Sequence, residues 1–336
     1  MRPAGASGLL AQAAIAALLG GVFIDAQGAN FVTRGNSISR TSSEQDERKL
    51  EDRYAESPLT ARIVTAASGE APGHSSLAQS QARVDVTYGN ARLSAQSSAF
   101  LDSRDGNGVA FGSSFVAAEW SDRFALTCPA CVSGSAGAMT FRIVVDGVRW
   151  PDGYASTLEG PGGVYAAESG WQTSLSLRAP GESPFRFDSN EVNYFTTGER
   201  SRFTLGEGVG TFTYTVPVTF GEAIDISWRS SLYAGAVVGL TDPDSRITAW
   251  AAGLTDFSHS FSWDGIVGVT DAQGRPVAGV TAFNDVGINY VDSLAVAVVP
   301  EPGTWALMAA GLALLALGCA RGRSSSAGQG LPALRG

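Results

Sequence analysis

Histidine, cysteine and lysine are nearly missing from this 336-residue chain, which has two His, three Cys and one lysine, Lys49. Each shortage closes a route. A Ser-His-Asp triad would have to use His74, which follows Pro72-Gly73 in a polar stretch, or His259, in the Ser-rich Ser258-His259-Ser260. Both read as solvent-facing residues rather than as a general base. No Gly-x-Ser-x-Gly elbow, His-Glu-x-x-His pair or phosphate-cradling glycine loop occurs. The recognisable signatures of serine hydrolases, zinc proteases and nucleotide-binding enzymes are therefore missing. Cys128-Pro129-Ala130-Cys131 cannot by itself complete a four-ligand zinc site. The loop-like Val132-Ser133-Gly134-Ser135-Ala136-Gly137 follows it, where a redox Cys-x-x-Cys wants a helix to lower the thiol pKa. In an oxidising compartment this pair is expected to close as a disulfide, Cys128 to Cys131.

Long amphipathic helices are also missing, and what stands in their place is period two. Val84, Val86 and Tyr88 alternate with Asp85 and Thr87, and Thr211 to Phe220 alternates threonine with apolar residues. Ile224, Ile226 and Trp228 alternate with Asp225 and Ser227, and Phe257, Phe261 and Trp263 mark a further strand. Such alternation belongs to half-buried antiparallel strands. Asp105-Gly106, Asp146-Gly147, Asp152-Gly153 and Asp264-Gly265 read as turns between them. Pro217 inside a strand pattern points to an edge position or a bulge. The pattern predicts an all-β antiparallel sandwich, jelly-roll-like, over residues 83–298. Residues 27–82 are rich in Ser, Gln, Glu and Arg and read as a flexible polar lead, with a short surface helix over Glu44 to Arg53 capped by Ser43.

Both ends of the chain look like addresses. Arg2 precedes a nearly wholly apolar run, Leu9 to Ile24, and Ile24-Asp25-Ala26 offers a small residue for cleavage. Residues 1–26 are read as a secretory signal peptide, with an uncleaved N-terminal anchor as the alternative. At the other end, Pro300-Glu301-Pro302 leads into an uncharged run from Trp305 to Ala320 that includes Leu307, Leu312, Leu314, Leu315 and Leu317; Arg321 and Arg323 follow. Sixteen residues at about 1.5 Å each give roughly 24 Å, a marginal single transmembrane helix against a hydrocarbon core of about 30 Å. Trp305 suits one interface and the arginines suit the cytoplasmic side.

The Pro-Glu-Pro tripeptide, the apolar span and the basic stop together resemble the PEP-CTERM sorting signal, over residues 299–323. The resemblance implies a substrate of an exosortase, an integral-membrane sorting enzyme resembling a cysteine protease. It also implies a Gram-negative, exopolysaccharide-making bacterium and release at or near Pro300-Glu301-Pro302. The basic stop here has two arginines, and residues 324–336 continue beyond it as a disordered tail. The protein is then exported through the inner membrane, held transiently by its C-terminal helix, and passed to the cell surface or medium.

The tail's three arginines against Glu301 carry +2, so the −9 of the whole chain leaves −11 on the exported body. An acidic body repels DNA, so no nucleic-acid partner is expected. No cofactor is expected other than calcium, whose oxygen ligands Asp102, Asp105 and Asn107 would supply, although their spacing does not follow an EF-hand. Trp150 and Trp171 lie near turns and are the tryptophans placed to stack on sugar rings, whereas Trp228 and Trp263 read as core. The expected function is that of a non-catalytic surface or matrix protein associated with exopolysaccharide or biofilm. A lectin-like carbohydrate-binding module is the second reading, and a secreted glycan hydrolase built on two carboxylates is the third.

Overall fold

The computed structural model describes residues 30–295, apart from positions 42, 56–58, 72–73, 105, 107, 161–162, 197–198, 241 and 243. The signal peptide, sorting tripeptide, apolar span and terminal tail lie outside the described residues. Fourteen strands are described, all paired antiparallel, and no helix is described. In chain order they are β1 (Asn30–Thr41), β2 (Gln45–Ala55), β3 (Leu59–Ala71), β4 (His74–Thr87), β5 (Asn90–Ser103), β6 (Gly108–Thr127) and β7 (Ala136–Glu159). Then come β8 (Gly163–Arg178), β9 (Phe185–Thr196), β10 (Glu199–Gly206), β11 (Gly210–Thr219), β12 (Ala223–Leu240), β13 (Arg246–Asp271) and β14 (Thr281–Asn284).

They form two sheets. The larger runs β10-β9-β8-β12-β6-β1-β2, with β14 added beside β6, and the smaller runs β11-β7-β13-β5-β4-β3. The order follows from one winding. β5, β6 and β7 pair in turn with β13, β12 and β11, switching sheet at each step. A long antiparallel hairpin has thus been rolled up, and β7 with β13 and β8 with β12 close the roll. This is the jelly-roll scheme, extended by the β8-β9-β10 and β3-β4-β5 meanders.

The core is uneven along the strands. At one end it is aromatic: Trp120, Trp171, Trp228, Trp263, Phe124, Phe141, Phe257 and Tyr290 are fully buried. Trp263 stacks on Phe141 with centroids 4.9 Å apart and donates its indole N–H to the Tyr290 carbonyl. Trp228 and Trp263 are core residues, as their alternation predicts. At the other end the layer between the sheets is rich in alanine, with Ala99, Ala110, Ala167, Ala236, Ala249 and Ala251 beside Leu101, Phe195, Val238, Leu240 and Ile247. There a Cβ added at Gly253 would collide with the carbonyl oxygens of Glu168 and Gly235 in the facing sheet. The two backbones can approach that closely only without it.

Several expectations are corrected. The described residues of 27–82 are not a flexible lead: β1, β2, β3 and the first nine residues of the 14-residue β4 lie within them, and the boundary at residue 83 cuts β4. The signal was hidden because this part of the sandwich is filled by hydroxyls. Ser37, Ser39, Thr65 and Ser80 are buried between β1 and the β3-β4 pair and bond one another at 2.6 to 3.4 Å. Each of these four hydroxyls has a partner, so polar side chains fill this part of the core, while Thr33 Oγ1 on the same face of β1 has no hydrogen-bond partner among the described residues. The surface helix expected over Glu44 to Arg53 is instead β2, because its backbone groups pair with β1 from Arg40 to Phe31. Asp146-Gly147 and Asp152-Gly153 are not turns; both lie inside the 24-residue β7. Gly147 is needed because a Cβ there would strike the buried Phe257 ring. Asp264-Gly265 lies inside β13, where the register shifts between Trp263 and Ile266 and Gly265 has φ +87°. It is a bulge, which glycine permits at positive φ. Pro217 does sit on an edge strand, since β11 is paired on one side alone.

Candidate functional site

At the small-residue end the usual polarity of a strand is inverted, and this creates the surface with the clearest functional character. Because alanines face inward, the large side chains of the same strands face out. In β13, Ala249 and Ala251 are buried while Trp250 between them is 37% exposed. Register then lines up its neighbours: Trp250 pairs with Tyr154 on β7 and with Phe100 on β5, and Phe100 pairs with Leu77 on β4. Tyr154 is 60% exposed, Phe100 37% and Leu77 42%. Four adjacent strands thus carry one apolar, mostly aromatic row across the outer face of the smaller sheet. At about 4.8 Å per strand the row is roughly 14 Å long.

Polar rows border it on both sides. One is Asp152-Ala252-Ser98-Gln79 and the other Thr157-Thr248-Asp102-Ser75, each read across β7, β13, β5 and β4. Thr248 donates its hydroxyl to Asp102 at 2.8 Å. Beyond Asp152 lies a third row, Trp150-Leu254-Gln96-Gln81, in which the two glutamine amides bond at 2.9 Å and Trp150 is 47% exposed. The face offers flat π-surfaces beside hydroxyls, amides and carboxylates. That combination packs against the C–H faces of a pyranose and bonds its hydroxyls.

The structure separates the residues singled out from the sequence. Trp150 is exposed on this face. Trp171 is not: it is 1% exposed and packs inside against Phe257 and Phe261, because residue 171 falls on the inward parity of β8. Asp102 lies in the polar border, while Asp105 and Asn107 fall outside the described residues. Among the described residues no group of three His, Cys, Asp or Glu could hold a metal ion. Cys128 and Cys131 are joined as a disulfide with Cα atoms 5.2 Å apart. His74 begins β4 and His259 lies within β13. Sequence reasoning missed Tyr154, Trp250, Phe100 and Leu77. The available signal was the Ala-Trp-Ala-Ala-Gly-Leu run at 249–254, where large residues alternate with small ones rather than with polar ones.

The opposite outer face, on the larger sheet, holds Glu168, the most strongly perturbed carboxyl among the described residues. Glu168 on β8 is buried beside Gly235 and Tyr194, its partners in register. Its Oε2 has no hydrogen-bond partner among the described residues, and desolvation pushes its pKa up to about 7. Burial, and then the Glu168 carboxylate, raise the Tyr233 phenol as well. The next carboxylate on this face of β9 is Asp188, six residues beyond Tyr194, or about 20 Å. Glu191 points inward instead, where Arg149, Arg202 and Asn193 donate to it and their bonds hold it ionised against its burial.

Neither a curated protein nor a solved structure matches the chain. No described helix is long and apolar enough to cross a membrane, and the apolar run at 305–320 is outside the described residues. Residues 298–323, however, match the PEP-CTERM protein-sorting motif, covering Pro300, Glu301 and Pro302, the apolar run and both arginines, so the chain carries the C-terminal signal of an exported exosortase substrate.

Proposed function

We propose that the protein is a non-catalytic component of the cell surface or extracellular matrix that attaches to exopolysaccharide through the outer face of its smaller sheet. The row Tyr154-Trp250-Phe100-Leu77 carries this reading. An exposed aromatic row across four strands serves no packing purpose within the sandwich, and it suits the flat faces of a sugar chain. The sorting motif supports delivery to the compartment where such a polymer is met. In this reading the signal peptide takes the chain across the inner membrane, and the C-terminal helix holds it until an exosortase releases it. A Gram-negative, biofilm-forming producer is the setting in which such delivery has a use.

A glycan hydrolase would need two carboxylates about 5–10 Å apart. Glu168 has the raised pKa of a general acid, but its partners in register are a glycine and a tyrosine, which favours the non-catalytic reading. Calcium has no part in the proposal.

The test is retention of the exported protein on insoluble polysaccharides. The parent chain is expected to bind, and the double variant Trp250→Ala, Tyr154→Ala to lose at least tenfold in affinity with its unfolding transition unchanged, since stacking is worth about 1–3 kcal/mol per ring. Equal retention of parent and variant would remove the row from the function.

A further inference from the structure

The aromatic row sets a direction, a repeat and a charge preference for a polymer lying on it. The direction is across the strands. Along β7, Asp152 parts Tyr154 from Trp150 and Val148, whereas Tyr154, Trp250, Phe100 and Leu77 follow one another on adjacent strands without a gap. The repeat is the strand spacing, about 4.8 Å. That is close to the advance of one pyranose in a fully extended chain. Neither end of the row is walled by register. Beyond Tyr154 no described strand pairs with β7, because β11 covers it only from Ala136 to Val145. Beyond Leu77, β3 adds the exposed Ser68, and the sheet ends there.

The charge preference follows from where the arginines stand. The row and its two polar borders hold no lysine or arginine. Arg246 is four residues from Trp250 along β13 and Arg104 four from Phe100, about 13 Å in each case. Arg83 is six residues from Leu77 and Arg62 six from Ser68, about 20 Å. All four lie beyond the Debye length of about 8 Å at physiological salt. Asp102 is nearer, two residues or about 7 Å from Phe100, where it accepts the Thr248 hydroxyl.

We infer that this surface is selective for a neutral, equatorially linked polysaccharide, held by an internal stretch with about one pyranose per strand. The inference rests on the polysaccharide reading above and adds the linkage and charge of the polymer. Equatorial linkages keep successive rings in one flat ribbon, so neighbouring rings meet Tyr154, Trp250 and Phe100 together and stack on them through C–H faces. Axial linkages coil the chain and lift most of its rings off a row of this length. A polyuronate of the same ribbon shape brings carboxylates to a row with no cation in reach, on an acidic body, and is disfavoured by charge alone. Because the row is open at both ends, a long chain runs off both edges, and its termini are not what is recognised.

The probes are β-1,4-linked glucose oligomers of two to six units, the α-1,4-linked glucose hexamer and the β-1,4-linked mannuronate hexamer, titrated into the exported protein at low and high salt. The α-linked hexamer isolates linkage and the mannuronate isolates charge. The β-linked glucose hexamer should bind about fivefold or more tighter than either, with an affinity insensitive to salt, while the mannuronate should gain affinity as salt rises. Affinity in the β-linked series should climb to about the tetramer and then level off, and methylating the anomeric end should leave the hexamer unchanged. Phe100→Ala should cost the hexamer about fivefold or more, and Trp150→Ala, two rows away, should cost nothing. Equal binding of the α- and β-linked hexamers, or mannuronate binding as tight as glucose at low salt, would overturn the inference; the polysaccharide reading would still stand if Trp250→Ala with Tyr154→Ala abolished that binding. Loss of binding in Trp150→Ala but not in Phe100→Ala would overturn it too, since the polymer would then run along β7. Binding of none of these probes, with no retention on insoluble polysaccharides, would remove the underlying reading together with the inference.

Discussion

Glu168 shows how one residue can set the pH response of the sandwich. Its folded pKa is about 7 against 4.5 for the ordinary side chain, and the cause is burial without a charge partner. Below pH 4.5 the group is protonated in both states and costs nothing. As pH rises from 4.5 to 7 the unfolded chain gives up the proton while the folded chain keeps it, so stability falls across that window. Above pH 7 the folded state holds a buried carboxylate, and the loss levels off at about 3 kcal/mol. Glu168→Gln removes the ionisation. Denaturant unfolding should show the parent losing on the order of 3 kcal/mol between pH 4.5 and pH 8, and the variant nearly flat. A parent chain as stable at pH 8 as at pH 4.5 would show that the carboxyl is hydrated. None of this was legible in the sequence, where Glu168 follows Ala166-Ala167 in an unremarkable run. Trp228 and Trp263 were legible because each alternates with polar neighbours. Trp171 misled because the Gly170 beside it marks no turn. A Cβ at Gly170 would strike the Tyr233 ring on the outer face, so that glycine is a packing device inside β8.

At the scale of elements, the strands beyond residue 200 were readable and the first three were not, while β4 showed itself only at its end, through Val84 and Val86. β11 announces itself by alternating threonine with Phe212, Tyr214, Val216 and Val218, and Pro217 gives away its edge position. β1, β3 and β4 bury Ser, Thr and Ala, and hydropathy alternation is faint where the inward residues are hydroxylic. β3 is the outermost strand of its sheet, thirteen residues long, without proline or lysine. Long unpaired edges recruit other strands. This one is capped from across the sandwich, as Ser68 donates its amide to Glu44 at 2.8 Å and Ala66 donates to Asp46 at 3.4 Å. The charged run read as a helix is therefore a strand whose start guards a neighbouring edge. Glu44→Ala with Asp46→Ala frees two outward amides and removes two negative charges. Size-exclusion with light scattering should show a larger self-associated fraction for the double variant than for the parent at equal concentration. An unchanged size distribution would mean the edge is protected by other means.

On the scale of the whole molecule, the winding of β5-β6-β7 against β13-β12-β11 makes the two ends of the sandwich differ. One end is held by aromatic stacking and is closed by Tyr290, which stacks on Phe124 at 4.7 Å and donates to Asp122. The other end draws its sheets together over alanine and glycine and turns its large side chains outward. The fold class was legible because period two survives in most strands; the exposed aromatic row was not, because it depends on register between β7, β13, β5 and β4, which no local pattern encodes. The C-terminal address was the most legible feature, since its tripeptide, apolar run and arginines are contiguous in sequence and need no fold to be recognised. The same contiguity makes the address separable from the sandwich. The body's last described contacts include the Leu294 amide on the Trp263 carbonyl, and the motif begins at residue 298. Replacing Pro300-Glu301-Pro302 with alanines should then leave the unfolding transition of the sandwich unchanged. In the native host it should shift the protein from the released fraction to the membrane fraction, as a longer form still carrying residues 303–336. Mass spectrometry of the released parent chain should find no peptide from Ser324 to Gly336. Release of the variant in the same amount and at the same length as the parent would break the link between the motif and processing.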